Sequence, residues 1–120
     1  MKYLCLVYAD EAKILGLTQA EVDALIDETT AYDEELRGDG RLVHAEALEH
    51  VAAAVTVRVR DGRLSATDGP FAETVEQLGG FLLIEARDLS EAVRIAGRIP
   101  GARLGSVEVR PVVDLAREHS

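Results

Sequence analysis

Two segments of this 120-residue chain, Lys2–Ala9 and Gly80–Glu85, are apolar on both parities of an extended backbone. In the first, Tyr3, Cys5 and Val7 alternate with Leu4, Leu6 and Tyr8; in the second, Phe81, Leu82, Leu83 and Ile84 run without a break. A strand that is apolar on both faces is normally covered on both faces. Only two helices of useful length are legible in the same chain, and two helices cover one face of a sheet. The other face therefore calls for a cover from outside the chain. The simplest is the same face of a second copy about a two-fold axis, giving a homodimer; a heteromeric partner is the alternative.

The remaining elements follow from local signals. Thr18-Gln19-Ala20-Glu21 is a capping box, in which hydroxyl and carboxylate each satisfy an orphan backbone N–H. Val22, Leu25, Ile26, Thr29, Tyr32 (or Asp33) and Leu36 then mark one helical face, and Gly38 and Gly40 end the helix. Strand two is expected over Arg41–Leu48. Strand three, Ala53–Arg60, alternates valines with Thr56 and Arg58, and Asp61-Gly62 turns the chain back into strand four, Arg63–Asp68. A loop over Asp68–Gly80 is expected, with room for one helical turn near Thr74–Leu78. Strand five, a helix capped by Asp88 or Ser90 and stopped at Pro100-Gly101, and strand six, Gly105–Arg110, complete the order. The reading is α+β: a ferredoxin-like split βαβ with an extra central hairpin, its antiparallel sheet covered on one face by two helices. Residues 1–112 form the domain and 113–120 a tail.

Charge and composition narrow the function classes. The formal net charge is -9, and the Thr18–Gly38 segment carries about two thirds of it. An acidic surface repels phosphate backbones, so nucleic acid is not an expected partner. That segment reads as a solvated helix face, or as an acidic face offered to a basic protein. No window reaches the roughly 18 uninterrupted apolar residues of a membrane span. The N-terminal apolar run stops at Asp10-Glu11, too short for an export signal, so a cytoplasmic location is expected. A single cysteine, Cys5, rules out an internal disulfide and multi-cysteine metal sites, and reads as a small buried hydrophobe.

The chemistry-bearing residues are His44, Glu46, Asp68, Glu73 and Glu76. His44 and Glu46 lie two apart on strand two and share a face. If strands two and four bring their ends together, Asp68 meets His44, and the pair acts as an imidazole base held in one tautomer by an acid. The competing reading of Asp68-Gly69-Pro70-Phe71 is structural: an Asp-initiated turn followed by an aromatic plug. Oxygen ligands from Glu46, Asp68, Glu73 and Glu76 would suit a hard cation, but no spacing is diagnostic of a metal. His50 and His119 fall in a turn and a tail and read as solvated. Phosphate loops, nucleophile elbows and zinc-protease motifs are absent, so no cofactor is implied.

The stretch Asp68-Gly69-Pro70-Phe71-Ala72-Glu73-Thr74, continued by Glu76-Gln77-Leu78-Gly79-Gly80-Phe81, resembles the YCII-related family in its DGPF-motif branch. The likeness extends to Thr56-Val57-Arg58, to Ala86–Ala92, to Ile99-Pro100-Gly101-Ala102 and to Val107–Pro111. It implies a dimeric α+β barrel, ferredoxin-like protomers joined through their sheets, with a cleft between sheet and helices. YCII-type relatives carry a His–Asp pair suspected of acid–base catalysis, and some DGPF relatives are encoded beside, or joined to, alternative sigma factors. The chain departs from its relatives at Val75, where Lys is frequent, and at His50, where Pro is common.

Two functional expectations result. The first is a cofactor-independent hydrolase, lyase or isomerase acting on a small organic molecule. Asp68, His44 and Glu46 would be its acid–base residues, and Tyr8, Phe71, Glu73 and Glu76 would face the ligand. The second is a non-enzymatic ligand-sensing or regulatory module linked to alternative sigma factors.

Overall fold

Residues 1–118 are described by the computed structural model. In order they form β1 (Lys2–Asp10), α1 (Glu11–Leu15), α2 (Gln19–Gly38), β2 (Leu42–Ala47), β3 (Val55–Arg60), β4 (Arg63–Asp68), β5 (Glu76–Glu85), α3 (Leu89–Gly97), β6 (Gly105–Pro111) and α4 (Leu115–Glu118). Single 3-10 turns occupy Val51–Ala53 and Pro100–Arg103. His119 lies outside the described residues.

The main sheet has the order β2-β5-β1-β6 with every neighbour antiparallel. Strands β1 and β2 are thus parallel, joined through α2, with β5 slotted between them. Strands β5 and β6 are related in the same way through α3, around β1. This is the ferredoxin-like split βαβ expected from the element order. The central hairpin does not join that sheet. Strands β3 and β4 pair only with each other and form a two-stranded arm. The arm helps raise the radius of gyration to 16.5 Å, against roughly 14 Å for a compact chain of this length.

One face of the sheet carries Tyr3, Cys5, Leu82, Ile84 and Leu42, packed against Tyr32 and Leu36 of α2 and Ala92, Ile95 and Ala96 of α3. The Tyr32 hydroxyl donates to the Ile95 carbonyl at 2.7 Å and ties the two helices together. Burial pushes the Cys5 thiol up to about 11, as suits a core hydrophobe rather than a nucleophile. The opposite face carries Leu4, Leu6 and Tyr8 in register with Leu83, Phe81 and Leu78. These side chains are only half-buried, and α2 and α3 both lie on the other side.

The capping box forms as read: Glu21 N–H donates to Thr18 Oγ1 and Thr18 N–H to Glu21 Oε1. Asp61 and Gly62 make the arm's turn with φ of 52° and 73°. Two local expectations are corrected. The segment Thr74–Leu78 is not helical, because β5 already starts at Glu76 and pairs with the end of β1. The five-residue α1 was not foreseen; it is capped by Asp10, whose carboxylate accepts from Ala12 N–H at 3.0 Å.

Glu91 is the buried carboxylate of α3. It accepts from the Arg87 N–H at 3.0 Å and pairs with Arg41 at 2.7 Å and the Arg87 side chain at 3.2 Å. The Arg87 N–H, then the two guanidinium charges, hold its carboxyl below the usual 4.5 against the opposing effect of burial. A carboxylate depressed in the folded state stabilises fully above its ordinary pKa and loses that contribution as pH falls through the folded value. Thermal unfolding from pH 7 to pH 3 should therefore show an acid-side decline that Glu91→Gln flattens, its midpoint at pH 7 lying below the parent's. An unchanged acid limb in the variant would contradict this.

Candidate functional site

The apolar face of α2 is longer than the core it meets. Tyr32 and Leu36 are buried, but Val22, Leu25 and Thr29 are only half-buried and Ile26 is 57% exposed. This half of the helix overhangs the end of the sheet and roofs a cleft of about 540 Å³. Its walls are Ile14, Val22, Leu25, Ile26, Leu48 and Leu104, with Val7 and Ala47 from the sheet. A recess of about 230 Å³, sharing Val7, Leu25, Thr29 and Asp33 with it, runs inward to Leu82 and Ile99.

The sheet is shaped to admit this cleft. A bulge between Val7 and Tyr8 skips Gly79, so that Val7 faces Gly80 and Tyr8 faces Leu78. A Cβ on Gly80 would sit 2.8 Å from the Glu46 carbonyl oxygen, so β2 can approach only a glycine there. The released Gly79 carbonyl accepts from Leu48 N–H at 2.8 Å and leads the chain around the cleft's rim.

Asp33 is among the residues that line both the cleft and the recess. Its Oδ1 is sealed from solvent and has no hydrogen-bond partner among the described residues. Burial raises its pKa above the ordinary aspartate value, while Arg37, one turn further along α2, pulls the other way. Thr29, one turn earlier, donates its hydroxyl to the Leu25 carbonyl at 2.8 Å. Leaving a buried acceptor unmatched costs free energy, and most buried polar groups in folded proteins are matched by protein atoms or ordered water. The lining includes Glu11, Asp33 and Glu49 but neither Lys nor Arg, so the cleft disfavours anions.

The residues singled out from the sequence divide into separate places. His44 and Glu46 do meet, Nε2 to Oε2 at 3.1 Å, on the open face of the sheet beside Phe81, whose ring centroid is 6.0 Å from the imidazole. Asp68 is exposed at the end of β4; since β4 pairs with β3 alone and β2 with β5 alone, the two strands are not neighbours. The Asp-initiated turn is not formed: Pro70 has no N–H to offer. The bend is held by Gly69, at φ 108°, donating to the Ala54 carbonyl and accepting from Thr56 Oγ1.

Tyr8 and Phe71 line a second cavity of about 670 Å³, between the arm's base and the sheet, although Phe71 itself is 82% exposed. Gln77 braces the loop above it by donating to the Ala72 and Thr74 carbonyls. Glu73 is exposed, and Glu76 accepts from Ser106 Oγ at 2.7 Å. Asp68, Glu73 and Glu76 line neither cavity, and among the described residues no three His, Cys, Asp or Glu side chains converge as a metal site.

The sequence reading placed Asp33 on the helix face only as an alternative to Tyr32, and it missed the site there. The available signal was the acid itself: a carboxylate beside a helix face of six positions, Val22, Leu25, Ile26, Thr29, Tyr32 and Leu36, that the short core cannot absorb. His50, read as solvated, lines both cavities and lies beside Glu11.

The chain is thus a ferredoxin-like α+β domain with a largely apolar cleft under a long helix. The sequence comparisons give its lineage. The family model for the YCII-related domain matches residues 1–116, and the chain belongs to that family. It is also similar to an uncharacterized protein of Rhizobium meliloti (strain 1021), 36% identical over 114 residues, covering 93% of this chain and 92% of that protein.

Proposed function

We propose that this YCII-related chain, a member of the DGPF-motif branch, is a cytoplasmic homodimer and a cofactor-independent acid–base enzyme acting on a small neutral organic molecule in the α2 cleft. The observation that carries the reading is the Asp33 Oδ1, buried and without a hydrogen-bond partner among the described residues, on a cleft lined by neither Lys nor Arg. A desolvated carboxylate is a stronger base than a hydrated one, and proton abstraction next to a carbonyl is the reaction it suits. The half-buried strip of Leu4, Leu6, Phe81 and Leu83 supports the dimer, since two such sheets pack face to face about 10 Å apart.

The test uses 2-tetralone, an apolar enolisable ketone small enough for the cleft. Bound ketone should exchange its α-hydrogens with solvent deuterium faster than in buffer. Asp33→Asn should bind it within a few-fold of the parent and lose about 10²-fold or more of the exchange. The same variant should be slightly more stable at pH 7, by at most about 1 kcal/mol because the side chain still sees solvent. A less stable variant that exchanges at the parental rate would remove Asp33 from the site.

The second reading is a ligand-sensing or regulatory module, docked on a basic partner such as an alternative sigma factor. Its support is the outward face of α2: Glu28 and Glu35 are tied to Arg103 and Arg98, while Asp27 and Glu34 stay exposed beside them. Ketone bound in the cleft without any exchange is the outcome that would favour it.

A further inference from the structure

We propose that the β3–β4 arm is a clasp for a second copy of this chain, laying its apolar face on the partner's body beside the paired sheets. The inference rests on the homodimer reading above and adds the surface that completes the interface. In the arm's register Val55 faces Asp68, Val57 faces Ala66 and Val59 faces Leu64, while Thr56 faces Thr67, Arg58 faces Ser65 and Arg60 faces Arg63. Directly opposed residues share one face of a ribbon. One face of the arm therefore presents Val55, Val57, Val59, Leu64 and Ala66, and the other is wholly polar. This is the composition of an antiparallel sheet with one side packed and the other in water.

Within a single chain the apolar side has nothing on it. Val55, Val57 and Val59 are each more than half exposed, and Leu64 and Ala66 are exposed beside them. Strands β3 and β4 hydrogen-bond only to each other. An isolated two-stranded ribbon is marginal in water and gains independent stability by packing its apolar face. Phe71, itself exposed, shares the cavity at the arm's base with Val55, so the apolar surface runs on from the arm into the body. A contiguous exposed apolar surface of this kind marks an interaction site.

Area and charge both select a second copy as the cover. The open sheet face consists of strands of 9, 6, 10 and 7 residues. At about 3.3 Å per residue and about 4.8 Å between strands its footprint is roughly 500 Å². A standard interface takes roughly 800 Å² from each partner. By the same measure an arm given and an arm received add roughly 200 Å² each, which brings the pair into that range. The charge argument is independent of area. Two chains of net charge -9 repel. The arm opposes this, carrying three arginines against two aspartates. Among the described residues the arginine ion pairs belong to Arg41, Arg87, Arg98 and Arg103, leaving Arg58, Arg60 and Arg63 free to meet an anionic neighbour.

The chain has no tryptophan, so Val59→Trp places a single fluorescent reporter on the apolar face, in a residue that favours strands. Where light scattering shows a dimer, the indole emission should be blue-shifted, and dilution through the dimer–monomer transition should move it to that of a water-exposed indole. A Val59→Trp protein that is monomeric where the parent is dimeric would also put the arm in the interface. In a second variant, Val57→Thr with Leu64→Thr removes apolar surface from the arm and leaves β-branched residues in its place. It should raise the dimer dissociation constant about 10-fold or more. Water-exposed emission from a dimeric sample, blue-shifted emission that persists in the monomer, or a parental dissociation constant in the threonine variant would each overturn the clasp while leaving the sheet-to-sheet dimer standing. A parent chain that is monomeric overturns the homodimer reading, and the clasp with it.

Discussion

Replacing Phe81 by Asp on the open sheet face should turn a particle of about twice the 13.0 kDa chain mass into one of that mass. Phe81 stands at the centre of the strip, in register with Leu6 on β1 and Glu46 on β2. A face-to-face pair buries it against its own symmetry mate or that mate's neighbours. An ionised carboxylate placed there sits among Leu6, Leu4 and Leu83, with His44 already facing Glu46 and Arg110 out on the edge strand β6. Burying an unpaired charge costs several kcal/mol, enough to shift a micromolar dimer wholly to monomer. Light scattering on size-fractionated protein reads the change directly. A parent that is already monomeric would contradict the account, as would a variant that stays dimeric.

Ile84→Ala should be the most damaging single truncation. Ile84 is 0% exposed, sits on the central strand β5 and is paired with Tyr3 on one side and Leu42 on the other. Close-packed neighbours on both flanks leave little room for the cavity to collapse, so the cost should be about 2–5 kcal/mol. That is a large part of the 5–15 kcal/mol typical of a whole domain. Leu64→Ala on the arm is the control: it is 71% exposed, and its loss should stay within about 0.5 kcal/mol. Urea unfolding of the two variants at one protein concentration separates the cases; equal midpoints would contradict the assignment of the core.

Much of the fold was legible because its signals are local or periodic. The two-sided strands, the Thr18–Glu21 box and the Asp61-Gly62 turn each depend on a few neighbouring residues, and the structure keeps them all. The arm was harder. Val55, Val57 and Val59 alternate in the same way whether a hairpin lies inside a sheet or leaves it, since period two reports a strand and not its neighbours. The early start of β5 was hidden because Thr74 and Gln77 satisfy the loop with side-chain hydrogen bonds that no periodicity shows.

The site was less legible than the fold. The sequence motif around Asp68 marks the family, yet its bend is held by Gly69 and Thr56, and the Asp68 side chain takes no part in that hold. Asp33 and His50 carry no motif. Asp33 reaches the cleft because α2 outruns its core, and His50 lines it beside Glu11 of α1, a helix too short to foresee. Both facts belong to tertiary packing.

The most direct measurement of the central claim is a crystal structure of the protein soaked with 2-tetralone. The ketone should lie under α2, between Leu25, Ile26 and Leu48, with its α-carbon toward Asp33. Ketone found only in the Tyr8–Phe71 cavity or against Asp68, with the α2 cleft empty, would contradict it.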